Sequence, residues 1–435
     1  MKTTVSIFWF RRDLRLYDNH GLYEALKQDK AVLPIFIFDS SILESLPKND
    51  ARVEFIHEQL KTIHKNLQKH GSGLSVYHGT PETIFEKLTN EYDIETVYYN
   101  RDYEPYAISR DQNISELLSS KSIDFKSFKD QVIFEQNEIT KDDGLPYKVY
   151  TPYSKKWLAT FNTNHYSPFN SENLLSNTVQ SDSYPWVDLE SMNFEPNPVK
   201  IAPYRVESAI IENYEATRNF PAIEGTSKLG PHLRFGTVSI RDIVSKAVQH
   251  TNNTFLKELI WREFFMQILW HFPHTVTKSF KPQYDAIQWR NAPEEYKKWC
   301  NGNTGYPLVD AGMRELNQTG FMHNRVRMLV GSFLCKHLLI DWRLGEAYFA
   351  EKLHDFELSS NVSNWQWVAG CGVDAAPYFR IFNPTTQVTN FDKAHTYIKK
   401  WVPEYQELSY PKPLVDHKFA RERCLRTYKE ALEKN

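Results

Sequence analysis

Cysteine is scarce in this chain. There are four in 435 residues, at positions 300, 335, 371 and 424, and no two of them form a Cys-x-x-Cys pair. That is poor metal-ligand spacing and no disulfide framework, so the expectation is reduced thiols in an intracellular protein with no bound metal. Long apolar runs are missing as well: the longest, Met328 to Ile340, is broken by Lys336 and His337, which argues against a transmembrane helix. The opening MKTTVSIFWFRRD carries only a short apolar run before Arg-Arg-Asp and reads as a strand rather than a signal peptide, with the cytoplasm as the expected location. No Gly-x-Gly-x-x-Gly follows that strand, so it is not a dinucleotide fingerprint. Internal repeats and low-complexity tails are absent too. Charge of one sign is also lacking, but the net −2 conceals an asymmetry: residues 1–200 hold 22 Lys+Arg against 29 Asp+Glu, and residues 201–435 hold 30 against 25. The second half is therefore the one that would meet phosphates, although a solvated mixed surface is the simpler account of charge alone.

Aromatic side chains, by contrast, are plentiful: 11 Trp, 24 Tyr and 27 Phe, with eight of the Trp after residue 200. A Trp-rich helical core explains several of them; the sharper alternative is a pocket built to stack flat rings. At 435 residues, two domains are the default. Apolar runs at 5–10, 31–39, 73–79, 95–100 and 124–130 alternate with helical patterns such as 52–70. This predicts an α/β domain over 1–134, a doubly wound, Rossmann-like parallel sheet whose ligands sit outside the carboxyl ends of its strands. Residues 135–199, rich in Asn, Ser and Pro, read as an interdomain linker. From 200 to 435 helical periodicity dominates and predicts an all-α domain.

Three helical segments combine a hydrogen-bonding side chain with a flat or soft one. In SNWQWV (363–368), Trp365 and Trp367 are two residues apart and point about 200° from each other on a helix. They cannot share a face, whereas Asn361 and Trp365, four apart, can. An Asn and a Trp facing one way suit a planar heterocycle with hydrogen-bonding edges, and a Trp facing elsewhere suits a second planar partner. Two tryptophans packed separately in a core is the alternative. ELIWREFF (258–265) sets Glu258 and Trp261 on one face with Arg262 beside them, and MHNRVRM (322–328) sets Asn324 and Met328 on one face, flanked by Arg325 and Arg327. A flipped base is read in this way, by hydrogen bonds to its edge and stacking on its face. Singly, each motif is more often a buried pairing in a core, and Arg327 could simply neutralise Asp355. In NFPAIEGTSKLGPHLRFG (219–236), a Thr-Ser-Lys run opening a helix can hold phosphates, while an N-capped loop is the commoner outcome.

Several blocks taken together match a family: FWFRRDLRLYDN (8–19), NRDYEPY (100–106), EGTSKL (224–229), ELIWREF (258–264), TGYPLVDAGMREL (304–316), GFMHNRVRM (320–328), LLIDWRLGE (338–346), NWQWVAGCGVDAAPYFRIFNP (364–384) and YPKPLVDHK (410–418). The chain resembles the photolyase/cryptochrome family, and most closely its class I cyclobutane pyrimidine dimer photolyases. The resemblance implies an α/β antenna domain joined to a helical FAD domain, with UV-damaged DNA as partner and a monomeric protein. By position, Tyr214, Thr226, Ser227, Lys228 and Leu229 would hold the FAD diphosphate and ribityl. Asp355 to Glu357 would line the isoalloxazine edge, with Arg327 pairing Asp355; position 357 is commonly Asp in relatives and is Glu here. Asn361 would face the flavin N5 atom, Trp365 the flavin and Trp367 the lesion pocket. An electron-transfer chain would run Trp365, Trp342, Trp289.

In the implied lesion pocket, Glu258 would bond a dimer carbonyl, Trp261 and Trp367 would wall the bases, Asn324 and Met328 would line it, and Arg218 and Arg262 would contact phosphate. The implied reaction is electron donation from excited reduced FAD, splitting of the cyclobutane ring and return of the electron. The (6-4) photolyases carry catalytic histidines where this chain has Asn324 and Met328, neither of which is a general acid. Asn361 is the photolyase choice where plant cryptochromes usually carry Asp, Trp-Gln-Trp differs from the Trp-Gln-Tyr usual in the DASH group, and the chain ends soon after 418 with no signalling tail. The alternative is a cryptochrome-type blue-light receptor without repair. For a second, antenna chromophore, Arg52, Asp102 and Glu104 resemble the deazaflavin- or flavin-binding pattern; folate-binding relatives use Asn and Glu where this chain has Tyr106 and Ala107.

Overall fold

The five apolar runs become one sheet in the computed structural model, which describes residues 2–433. Strands β1 (Thr4–Phe10), β2 (Val32–Asp39), β3 (Ser75–Gly79), β4 (Asp93–Asn100) and β5 (Asp124–Phe128) lie in the order β3-β2-β1-β4-β5, every neighbour parallel. A parallel sheet needs helices on both faces, and its inner strands are therefore apolar throughout. Alternation still sorts them: Val5, Ile7 and Trp9 join Ile35 and Ile37 in one cluster, while Phe8 and Phe10 join Phe36 and Phe38 in another. The crossover helices start where the sequence supplies caps. Asp50 accepts from Arg52 N ahead of Ala51–Gln68, and Thr80 accepts from Thr83 N ahead of Pro81–Glu91, which has proline in its first turn.

The chain forms two compact units that interleave along the sequence. One comprises residues 1–135, 160–203 and 229–249; the other comprises 136–159, 204–228 and 250–435. The stretch read as a linker, 135–199, is thus divided between them. Residues 150–160 form a helix (Tyr150–Thr160) whose Tyr150, Tyr153 and Trp157 are buried, and Trp157 Nε1 donates to Glu263 Oε1 at 2.6 Å. Farther on, Leu175, Met192 and Phe194 are buried against the Phe8/Phe36 face of the sheet. The segment 229–249, expected in the helical domain, belongs to the sheet unit for an electrostatic reason. Arg241 donates to Asp18 Oδ1 and Asp130 Oδ1, both at 2.8 Å, and Arg15 donates to Asp130 Oδ2 at 2.7 Å, all four side chains being buried. Pairing offsets the desolvation of such charges only when it is complete, so these contacts fix the segment's place.

The second unit is helical. Its core gathers side chains from Pro307–Thr319, Asn324–Ser332, Trp342–Lys352, Leu358–Ala369 and His417–Glu433. A π-helical turn at Phe333–His337 follows the second of these. All four cysteines are free and buried. Among the described residues no helix is long and apolar enough to cross a membrane, and no group of His, Cys, Asp or Glu could hold a metal ion.

Candidate functional site

The helix Leu358–Ala369 is walled in on one side and opens on a cavity within the second unit. Asn361, Trp365 and Trp367 all line this cavity, together with Asn324, Arg327, Met328, Asp355 and Glu357. Trp365 unites the two readings of the sequence, being both core and lining: it is 3% exposed and meets Phe349 edge-on at 4.9 Å and Trp299 at 6.1 Å. Gly345 makes room for its indole, since a Cβ there would lie 2.2 Å from it. Trp367 leaves the helix in another direction and is half-buried, with the Arg380 guanidinium 6.0 Å from its ring centre.

Polar groups of the cavity are fixed by partners behind them. Arg327 Nη2 donates to Asp355 Oδ2 at 2.8 Å and Arg327 Nε to the Met322 carbonyl at 2.7 Å, while Asp355 Oδ1 is buried with no partner among the described residues. Glu357 faces Arg262 at 3.9 Å. Asn361 Nδ2 donates to the Glu346 carbonyl at 3.0 Å and to Glu346 Oε1 at 2.8 Å, and burial pushes the Glu346 carboxyl above its ordinary range. Glu346 was not singled out from the sequence. It lies in the quoted block LLIDWRLGE, but nothing in its spacing ties it to Asn361.

A second cluster is built on the helix Thr254–His271. Trp261 is stacked on Tyr150 with ring centres 3.6 Å apart and planes at 7°. Tyr150, also unremarked in the sequence, donates its hydroxyl to the Lys257 carbonyl at 2.9 Å and its backbone N–H to Asp374 at 3.1 Å. Glu258 forms an ion pair with Arg218 at 2.5 Å, and the Arg218 guanidinium lies 5.2 Å from the Tyr214 ring centre. Burial, with Glu258's charge adding to it, pushes the Tyr214 hydroxyl up to about 12 and raises that of Tyr150 as well. Arg325 and Arg380 complete a cationic group: burial first, then Arg218 and Arg380, pull the Arg325 guanidinium below its ordinary value.

The expected phosphate loop is held near the cavity rather than in its lining. Ser227 accepts Arg205 N–H at 2.8 Å, and Gly225 packs on Thr217 beside Thr226. Lys228, in the left-handed region at φ 54°, pairs with Glu224 at 3.0 Å. Lys228 and Arg327 lie 5.7 and 5.8 Å from the centre of the same ring, Phe321, which ties the loop to the cavity. Leu229 falls in the sheet unit, at the start of a helix of five residues, Gly230–Arg234. Of the other indoles, Trp342 is 1% exposed with the Arg343 guanidinium 4.7 Å from its ring centre, and half-buried Trp289 meets Tyr428 edge-on at 6.0 Å.

In the sheet unit, Arg52 pairs with Asp50 at 2.5 Å. Asp102 pairs with Arg12 at 2.9 Å and Glu104 with Arg234 at 2.5 Å. Burial opposes the charge on Asp102, yet Arg12 and Arg234 hold its carboxyl well below the usual range.

A family model described as FAD binding domain of DNA photolyase matches residues 255–409, and one described as DNA photolyase matches residues 6–171. Among curated proteins, the deoxyribodipyrimidine photo-lyase of Agrobacterium fabrum is 36% identical, and the alignment covers 98% of each chain. Among solved structures, a bacterial class III photolyase from Agrobacterium tumefaciens matches with a TM-score of 0.89 at 35% identity, over 100% of this chain and 99% of that one. An archaeal photolyase from Sulfolobus tokodaii, solved with two FAD molecules, matches with a TM-score of 0.82 at 32% identity, over 98% and 99%. The motifs pointed to class I and the first of these structures is named class III; the family is common to both.

Proposed function

From the premise that this chain belongs to the DNA photolyase family, we propose that it repairs cyclobutane pyrimidine dimers in DNA, using light and reduced FAD to split a dimer flipped out of the helix. The chain is an enzyme of this family with FAD as cofactor. The residues present fit a flavin. The cavity sets hydrogen-bonding side chains (Asn361, Asp355, Arg327) beside a flat one (Trp365), as a planar heterocycle requires. Asp355 Oδ1 is a buried acceptor with no partner among the described residues, as a ring N–H requires. Bound there, FAD supplies light-driven one-electron chemistry.

The chain's own residues position the two planar partners. Asn361, whose amide N–H groups are held by Glu346, would leave its amide oxygen for the ring; Asp355, held by Arg327, would accept at the ring edge; Thr226, Ser227 and Lys228, with Tyr214, would hold the diphosphate and ribityl. Trp261 and Trp367 stack on the lesion, Asn324 and Met328 line it, and Glu258 meets its hydrogen-bonding edge. Arg218 and Arg262, joined by Arg325 and Arg380, take the backbone phosphates. Trp365, Trp342 and Trp289 are the oxidisable indoles that would pass electrons to the flavin, the first in the cavity lining, the second buried and the third half-buried. The observation that carries the reading is one cavity lined at once by Asn361 with Trp365 and by Trp367 with Asn324 and Met328. Asn324 and Met328 offer no general acid, which favours the cyclobutane dimer over the (6-4) lesion.

For the antenna, the reading is a flavin-type chromophore near Arg52, Asp102 and Glu104. The relative with two FAD molecules supports it; the ion pairs of Asp102 and Glu104 mean that a ligand there must sit beside those pairs or replace them.

The test is repair of a thymine dimer in duplex DNA by the reduced, FAD-loaded protein, under blue light and in darkness, with a (6-4) lesion in parallel. Light-dependent loss of the cyclobutane dimer alone is expected. No repair of either lesion with FAD bound and reduced would replace this reading with that of a photoreceptor.

A further inference from the structure

Two residues assigned separate tasks on the damaged strand hold each other in the free protein. Arg218 Nη1 donates to Glu258 Oε1 at 2.5 Å, with the side chains 23% and 33% exposed. Arg218 stands at the C-cap of Ser208–Thr217 and Glu258 in the first turns of Thr254–His271, so the pair bridges two helices. While it stands, Arg218 cannot give that N–H to a phosphate, and Glu258 cannot turn the same oxygen to a base.

We infer that the Arg218–Glu258 ion pair is a latch that weakens binding to undamaged DNA and is fully compensated only when a lesion opens it. The inference rests on the repair reading above. Arg325 donates to Asn219 Oδ1 at 2.5 Å and lies 4.4 Å from the Phe391 ring centre; burial first, and then Arg218 and Arg380, disfavour its charge, so Arg218 stands in a positive neighbourhood that draws phosphate. A phosphate that draws Arg218 away strips Glu258 of its cation. The carboxylate is then left beside the Tyr214 and Tyr150 hydroxyls, the latter committed to the Lys257 carbonyl, and faces the added negative charge of the DNA. Breaking one side of a partly desolvated ion pair costs more than the pair contributes.

A dimer flipped out of the helix changes that balance, because each of its pyrimidine rings carries an imide N–H next to its carbonyls, and it is this N–H, rather than the carbonyl the resemblance implies, that can donate to the carboxylate. An undamaged base remains stacked in the duplex and presents no such group. Phosphate contact with Arg218 is therefore penalised on ordinary DNA and compensated on damaged DNA, so Glu258 sets specificity by opposing the wrong ligand as well as bonding the right one.

The experiment measures equilibrium binding of the FAD-loaded full chain to a short duplex and to the same duplex with one thymine dimer. It compares wild type, Glu258→Gln, Arg218→Gln and the double variant. Glu258→Gln should tighten binding to the undamaged duplex about threefold to tenfold, the scale of a partly exposed ion pair. Binding to the damaged duplex should gain less, so the ratio between the two falls. In the Arg218→Gln background the same substitution should change affinity for undamaged DNA by less than about twofold, no more than is expected of simply removing a negative charge, because the competitor has nothing left to compete for. Glu215→Gln, on the same helix as the Arg218 cap, measures the effect of simply removing a negative charge and should move affinity less than about twofold. FAD absorbance and melting temperature verify that each variant is folded.

The latch is refuted if Glu258→Gln behaves like Glu215→Gln on undamaged DNA, or if its gain persists without Arg218. A wild type that discriminates as described yet repairs no dimer would overturn the repair reading and leave the latch standing. A wild type that binds neither duplex would overturn both.

Discussion

Gly345→Ala probes whether the place of Trp365 is fixed by the helix behind it. A Cβ on Gly345 would stand 2.2 Å from Trp365 Cη2, 2.4 Å from Cζ3 and 2.6 Å from Leu334 Cδ2. Carbon atoms in contact settle near 3.5–4.0 Å, so the indole must retreat by about 1.3 Å. Phe349 and Trp299 stand against it at ring distances of 4.9 and 6.1 Å, and the open direction is into the cavity. Two effects compete. Alanine is favoured over glycine in a helix interior by about 1 kcal/mol, whereas overpacking a filled core costs about 1–3 kcal/mol. The net expectation is a loss of up to about 2 kcal/mol. A larger effect should fall on FAD, because the displaced ring enters the space the flavin needs. The assay is denaturation followed by tryptophan fluorescence, together with the fraction of FAD retained after gel filtration. Trp365→Phe removes the benzo ring that carries Cη2 and Cζ3, so the double variant should lose less than the sum of the single variants by about 1 kcal/mol or more. If Gly345→Ala gains stability and keeps its FAD, or if the two substitutions are additive, the account of this packing is wrong.

Four further outcomes are expected. Asp355→Ala should lower FAD affinity about tenfold or more while far-UV circular dichroism stays unchanged, since it removes the unpartnered acceptor of the cavity and the Arg327 pair together. Trp289→Phe should abolish photoreduction of oxidised FAD, read by absorbance under blue light, but spare repair by chemically reduced enzyme; loss of both would point to misfolding or a wrong assignment of the indoles. Tyr150→Leu should raise the Kd for damaged duplex about threefold to tenfold by freeing the Trp261 ring, with Tyr150→Phe close to wild type because it keeps the stack; equal loss in both would move the role to the hydroxyl. Burial, then Arg327 and Arg325, lower His323 from 6.5 to about 4. It is therefore neutral when folded, and the unfolded chain takes up its proton first. Stability should fall as pH drops from about 6.5 to about 4, by on the order of 3 kcal/mol, and no further below that. Melting curves across this window should converge for wild type and His323→Asn.

The sheet was legible because a buried parallel strand is written as a short apolar run between turns, and the five observed strands lie within two residues of the five runs at either end. The region after it was not. Tyr150, Tyr153 and Trp157 stand at helical spacing, but the Asn- and Ser-rich composition around them masks the signal. The placement of 229–249 depends on Arg241 reaching Asp18 and Asp130, partners more than a hundred positions away that no local pattern announces.

The site divides in the same manner. Trp365 and Trp367 could be read because a helix fixes the angle between residues two apart, whatever surrounds it. Glu346 behind Asn361, Tyr150 behind Trp261 and Arg218 on Glu258 could not, since each contact joins helices whose packing the pattern of one segment does not determine. A motif also describes a residue by the ligand it will meet. Glu258 and Arg218 were legible as groups for a lesion and a phosphate, and the free protein adds the term that a motif cannot contain: each is already the other's partner. Affinity for DNA is therefore a difference between two sets of bonds, and an account of specificity that counts only those made with the damaged strand will be wrong in magnitude by the strength of the pair that was broken.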